Sequence, residues 1–374
     1  QAFTGLNIAA CDTMTLTFTA TLTLTTPGSN VFKIFNGLIN TTNPDLNNVN
    51  DTIILNLCTP YSGTYLINKN LPFSTTNFAS INQAVNAMYS CGVSGPVVLR
   101  IAAGSGPYNE QVTFSGVIPG SSRLATVTLS GNTTREIVNF GAGGSATQHV
   151  IRLSGAKHIK LDSLTINNPG TGYGIGVHIT AGADSNFVQN SIINIALAST
   201  SFSNSAGVSI SSTSASATGT GNNGNRNIIS NNTINGGYYG VTTIGTNTTT
   251  FCLRNEINNN TLNGQAYYGV FSQYQDFHKI NGNNIDNMLV SNTNSTGIYC
   301  AYVERFELKK NKVNRAGQYG VNLNSMNYQL GTGTDRSEIS NNMVGGIFYN
   351  TNPYGLALNT QARNIDIWHN SIHV

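Results

Sequence analysis

The sequence predicts an all-β fold, a parallel β-helix solenoid, and three observations predict it. A short phrase recurs: an apolar residue, two others, Asn, one more residue, then a second apolar residue. It reads Phe187-Val188-Gln189-Asn190-Ser191-Ile192 and returns around Asn232, Asn260, Asn283, Asn311, Asn342 and Asn370. Next, Gly followed by Val, Ile or Leu keeps step with it at Gly176, Gly207, Gly240, Gly269, Gly297, Gly320 and Gly355. Finally, the runs between are rich in Val, Ile, Thr and Tyr, are broken by Asn and Gly, and carry no 3.6-residue period.

The Asn positions are spaced by 42, 28, 23, 28, 31 and 28 residues. Self-similarity at such a period marks a repeat architecture. A repeat of this length holds three short strands and three turns, one rung of a coil. Asn between two inward apolar residues suits a turn with a left-handed backbone. Stacked at about 4.8 Å, such side chains hydrogen-bond to their copies above and below. The seven Asn are therefore read as a structural ladder.

Composition narrows the function. Of 374 residues only 9% are charged, far below the roughly 25% usual for globular domains. The net charge is +3, with no basic cluster beyond Lys309-Lys310, so nucleic acid is a poor partner. No apolar run reaches the length of a membrane span. Asn, Thr, Ser and Gly supply the polarity, as on an extracellular surface. A start at Gln1 is read as a signal peptide already removed. Among the five cysteines, Cys11 with Cys58 is the expected bridge and Cys91 the rival partner. Such a bridge points to an oxidising compartment. No metal site is expected, although Ca²⁺ is admitted as a cofactor on the acidic rows described below.

Taken in order, residues 1–60 lack the repeat. Thr and apolar residues alternate over 13–25, and residues 31–39 and 52–57 add strands, so a small N-terminal β-domain or cap is expected. Residues 61–96 are read as a polar connector followed by a helix, because Ile81, Ala84, Val85 and Met88 form a helical stripe. That helix should cover the first rung, since an open solenoid end exposes core and strand edges. Residues 97–374 follow as about ten rungs, a rod of about 48 Å. The polar stretch 211–225 explains the longest spacing as an external loop. The chain ends two residues after a ladder phrase, and is expected to continue or to be covered by another subunit.

Residues 78–88, 95–101 and 107–112 resemble the entry into right-handed parallel β-helices of the pectin lyase-like superfamily. Gly63-Thr64-Tyr65-Leu66-Ile67-Asn68, with 81–88 and Ser94-Gly95-Pro96-Val97-Val98, is similar to a module of large secreted surface proteins of the Bacteroidetes. That resemblance implies type IX secretion and an adhesive role.

Six acids keep a fixed offset from a ladder Asn. Asp276, Glu304 and Asp335 lie seven residues before it, and Glu307, Glu338 and Asp366 four before it, with Arg305 and Arg336 between the rows. Two acidic rows beside Arg can serve as general acid and base or hold a cation. They can equally be solvated charges at a turn. Tyr239, Tyr268, Tyr319 and Tyr354 share the slot before the repeated Gly, a pattern suited to stacking on sugars or to packing at a corner. The six His do not cluster by register, which leaves zinc unsupported. The reading is an extracellular structural or adhesive module without catalysis, partnered by further domains, copies of itself or glycans. The alternatives are a polysaccharide lyase or glycoside hydrolase using Glu304, Glu307, Asp335 and Glu338, and a glycan-binding module.

Overall fold

A computed structural model describes residues 23–24, 26–35, 52–141, 144, 147–170, 173–196, 204–213, 215–289, 293–329, 335–348 and 351–374. Strands β1 (Gly28–Phe35) and β2 (Thr52–Thr59) form an antiparallel pair. Residues 13–22 and Cys11 lie outside the described residues. From Tyr61 onward the chain winds as a coil. β3 (Tyr61–Ile67), β4 (Asn77–Phe78), helix α1 (Ile81–Cys91) and β5 (Val93–Ile101) open it.

Three parallel sheets result, here sheets I, II and III, of 12, 9 and 10 strands respectively. One rung shows the plan. Tyr268–Asp276 lies in sheet III, Lys279–Asn281 in sheet I and Asn284–Asp286 in sheet II, and the next rung re-enters sheet III at Thr296–Glu304. Because side chains alternate across a strand, each short strand sends one apolar residue inward. Ile257, Ile280, Leu308 and Ile339 stack in sheet I, and Leu262, Ile285, Val313 and Val344 in sheet II. One core cluster runs from Tyr61 to Val344.

The boundary expected at Val97 is corrected. β3 pairs in parallel with β5 in sheet I, so the supposed connector already belongs to the coil. Helix α1 sits where expected, with Ser80 capping it through a hydrogen bond from the Gln83 amide and Ile81, Ala84, Val85 and Met88 buried. Glu110 adds to that end, accepting from the amides of Ile81 and Asn82 at 3.0 and 2.9 Å. The Cys11–Cys58 pairing is also corrected. Cys58 is bonded to Cys91, 33 residues on, because the end of α1 is brought to 4.9 Å (Cα–Cα) from β2.

The amide ladder runs through the turn between sheets I and II. Asn232 donates from both its backbone N and its Nδ2 to Asn260 Oδ1, each at 3.0 Å. The pattern repeats from Asn260 to Asn283, Asn311, Asn342 and Asn370. Each Nδ2 from Asn232 to Asn370 also reaches back to a carbonyl of the preceding rung, as Asn232 does to Val188 O at 2.8 Å. Each buried side-chain amide of this ladder is thereby satisfied.

Two details differ from expectation. Asn190 is not in the ladder; Val188 pairs with Ile229, so Ser191 fills the rung opposite Asn232 and donates its N–H to Asn232 Oδ1 at 3.0 Å. The left-handed backbone also belongs to the residue before the ladder position. Asn190, Asn231, Asn259, Lys310, Asn341 and His369 take φ between 53° and 57°, and Gly282 takes 68°. A second, shorter ladder, Asn186–Asn227–Asn255, occupies the turn between sheets III and I.

The repeated Gly marks the entry into sheet III. A Cβ on Gly240 would lie 2.3 Å from Leu262 Cδ2 and 2.5 Å from Gly269 O. Only Gly allows the sheets to approach this closely.

Candidate functional site

The acidic rows lie along the corner of sheets III and I, in ion pairs that span rungs. Asp276 and Glu304 are neighbours across sheet III, and both are buried. Asp276 is clasped by Arg305, whose Nε lies 2.8 Å from Oδ1, and Arg305 Nη1 reaches Asp335 at 3.5 Å. The same guanidinium lies 4.1 Å over the Phe277 ring. Glu304 Oε1 accepts from the Gln329 amide at 3.0 Å.

On sheet I, Glu307, Glu338 and Asp366 stack in register. Lys309 Nζ sits 2.6 Å from Glu338 and 3.5 Å from Glu307, and Arg336 Nε lies 2.8 Å from Asp366. Hydrogen bonds from Lys309 and Ser340 hold the Glu338 carboxyl below its usual range, and Arg336 does the same to Asp366. A general acid needs the opposite shift. No group of three or more His, Cys, Asp or Glu with metal-holding geometry occurs among the described residues. Stacked carboxylates repel one another, and the interposed cations offset that repulsion.

The tyrosine column lies on the outer face of sheet III. Tyr239 pairs with Tyr268, Thr296 interrupts, and Tyr319 pairs with Tyr354. Two stacked couples result, with ring centroids 5.5 and 4.9 Å apart. The first couple anchors a wider aromatic face that includes Tyr238–Tyr267, stacked at 5.1 Å, and Phe271–Tyr299, stacked at 4.9 Å. Tyr268 meets Phe271 edge-on at 4.9 Å. Tyr239 itself is buried beneath Ala217, leaving Tyr238, Tyr267, Tyr268, Phe271 and Tyr299 half-buried. Burial pushes the Tyr238 phenol up to about 12, with Tyr267 adding to the effect, and raises Tyr239 and Tyr268 further. These rings are neutral, with their π-faces as the available chemistry. Phe271, the stacking partner of Tyr299, was missed because it lies two residues beyond the Gly, a slot filled by His, Ser and Thr in earlier rungs.

The same outer face carries a polar group nearer the N-terminus. His149 and His178, on adjacent strands of sheet III, approach with ring centroids 6.5 Å apart. Two of the six His therefore do meet. Arg152 pairs in register with His178. Cys252 and Cys300 are free and buried, and burial pushes the Cys300 thiol up to about 12. Neither thiol has the character of a nucleophile.

Neither a protein-family model nor a curated protein matches the chain. Solved structures do. Pectate lyase Pel9A matches at 12% identity over 82% of this chain and 79% of its own, with a TM-score of 0.48. The Dettilon tailspike protein matches at 13% over 78% of this chain and 57% of its own, with a TM-score of 0.46. The GH136 lacto-N-biosidase from Eubacterium ramulus matches at 10% over 83% of this chain and 68% of its own, with a TM-score of 0.50. Identities this low are likenesses of fold alone. With three parallel sheets wound in a single coil and an amide ladder at one turn, the chain is a right-handed parallel β-helix, a fold it shares with that lacto-N-biosidase.

Proposed function

We propose that this chain is a secreted adhesive β-helix module that binds glycans on the outer face of sheet III. The observation that carries the reading is the aromatic face of Tyr238, Tyr267, Tyr268, Phe271 and Tyr299, whose half-buried rings lie in stacked pairs across neighbouring rungs. Rigid, uncharged rings held at strand spacing suit stacking against the apolar faces of sugars. The Cys58–Cys91 disulfide fits an oxidising, extracellular setting. A glycan array tests the reading. Binding should fall about tenfold when Tyr268 becomes Ala, and an array with no bound glycan would end it.

A second reading is cleavage of an acidic polysaccharide at the corner of sheets III and I. It is favoured by Arg305 lying between the carboxylates of Asp276 and Asp335. The fold itself accommodates glycan chemistry, since a lacto-N-biosidase shares it. The carboxylates of Glu307, Glu338 and Asp366 are committed to cations, and this favours the adhesive reading. Turnover of pectin or alginate that is lost in Glu307→Gln/Glu338→Gln would reverse the preference.

A further inference from the structure

Arg152 is unlike the arginines of the acidic corner. Arg305 and Arg336 each hold a carboxylate, whereas Arg152 makes no ion pair among the described residues. Its Nε is buried and without a hydrogen-bond partner. The neighbouring imidazoles share this condition. His149 and His178 are 2% and 1% exposed, and the Nδ1 of each is buried and unpartnered. His178 Nε2 lies 3.1 Å from the Ser211 carbonyl oxygen. A carbonyl can only accept, so we assign the ring proton to Nε2, which leaves Nδ1 as a bare acceptor. Thr113 pairs in register with Arg152 from the other side, and its Oγ1 lies 3.5 Å from His149 Nε2. Glu110, in the segment leading to Thr113, spends both oxygens on the start of α1.

A partly buried guanidinium with no counter-charge among the described residues, beside two buried imidazoles with unused nitrogens, is an unfavourable arrangement in isolation. An anion beside Arg152 would offset the charge, and a ligand hydroxyl could donate to His178 Nδ1. We propose that Arg152, His149 and His178 on the outer face of sheet III form a binding site for an oxyanion, a carboxylate or sulfate group, borne on a hydroxylated ligand. The guanidinium supplies charge-assisted donors, and the imidazole supplies an acceptor at a fixed distance along the face. The oxyanion pairing stands independently of the glycan reading; the assumption that the ligand is a sugar rests on it.

The test uses the full chain with ¹³C-labelled histidine and follows the imidazole signals by NMR during titration with glucuronate, inorganic sulfate and glucose. Glucuronate and sulfate should shift the His149 and His178 signals, with saturation in the millimolar range, and Arg152→Gln should weaken both by about tenfold or more. Arg226→Gln, at a different corner, should leave both unchanged. Tighter glucuronate binding identifies a sugar carboxylate as the ligand group, and tighter sulfate binding identifies a sulfate. No shift with either anion, an equal response in Arg152→Gln, or glucose binding as well as glucuronate overturns the proposal. An empty glycan array with intact glucuronate binding would remove the glycan reading and leave the oxyanion site standing.

Discussion

Asn231 and Asn232 are adjacent, alike in chemistry and opposite in role, so exchanging each in turn isolates what the ladder contributes. Asn232 is 1% exposed. Its Oδ1 accepts the Ser191 N–H at 3.0 Å, and its Nδ2 donates to Val188 O at 2.8 Å. Asn232→Ala strips the Ser191 N–H of its partner inside the coil and removes a donor from the Val188 carbonyl. A buried donor left unmade costs about 1–3 kcal/mol and a lost ordinary bond about 1, so the variant should lose about 2–4 kcal/mol. Asn231 is exposed, and what it supplies is a backbone at φ 56°. Asn231→Gly should therefore be near neutral, and Asn231→Ala should cost only about 1 kcal/mol for the left-handed strain. Urea unfolding followed by circular dichroism gives the ranking. Because a coil of repeats can open locally, hydrogen exchange at the Ser191 amide gives the site-specific check. The reasoning is refuted if Asn231→Ala costs as much as Asn232→Ala, or if the Ser191 amide stays protected without the Asn232 side chain.

Three further outcomes are expected. Gly240→Ala should lower the urea midpoint by the equivalent of about 1–3 kcal/mol, because its Cβ would fall 2.5 Å from a carbonyl oxygen that cannot step aside; an unchanged midpoint contradicts this. Peptide mapping without reduction should recover Cys58 joined to Cys91, and Cys58→Ser should cost about 4 kcal/mol by releasing a 33-residue closure. Recovery of a Cys11–Cys58 peptide would reinstate the pairing expected from sequence. Burial holds His278 and His178 at about 4 and, with Arg152 and His178 adding to it, His149 at about 3, all below the ordinary 6.5. The unfolded chain thus takes up protons that the folded chain refuses. This stability is complete above about pH 6.5 and is lost as pH falls toward 4. Urea midpoints at about pH 7.5 and 4.5 should differ in that sense, and His278→Gln should flatten the difference.

The ladder from Asn232 to Asn370 was legible because each amide stands between two inward apolar residues, a constraint that only a turn inside the coil imposes. The first rung misled by one position. There Phe187, half-buried and pointing outward, imitates the inward residue that is in fact Val188. Ser191 meets the ladder's requirement with a hydroxyl, accepting the Leu164 amide at 3.1 Å, so no Asn marks the place. The shorter ladder through Asn186, Asn227 and Asn255 carries a signal too, five residues before each ladder position, but lacks the flanking pair that made the other visible. Cys91 could not be preferred over Cys11 because spacing along the chain does not report that α1 ends beside β2. The meeting of His149 with His178 was hidden for a related reason. Val150 stands in the column that Gly fills in later rungs, so the rung carrying His149 and Arg152 offered no phrase by which to align it.

A coil of this kind turns every residue choice into a column, and the way a column behaves separates support from chemistry. Acids repeated at one position are brought to about 4.8 Å from one another, a spacing at which like charges repel. The chain meets this with a cation on a neighbouring rung: Arg305 reaches both Asp276 and Asp335, and Lys309 reaches both Glu307 and Glu338. Those rows repeat at a fixed register, and a cation lies between the members of each. The outer column of sheet III behaves otherwise. It runs Arg152, His178, Ser209, Thr242, Phe271, Tyr299, Asn322, Ala357, changing character from cation to hydroxyl to aromatic ring within a few rungs. Nothing in the stacking of strands asks for that sequence of side chains, and its cationic end leaves buried nitrogens unpaired. Residues whose identity the fold does not require, and whose polar atoms the fold does not satisfy, are the ones with chemistry to spare for a ligand.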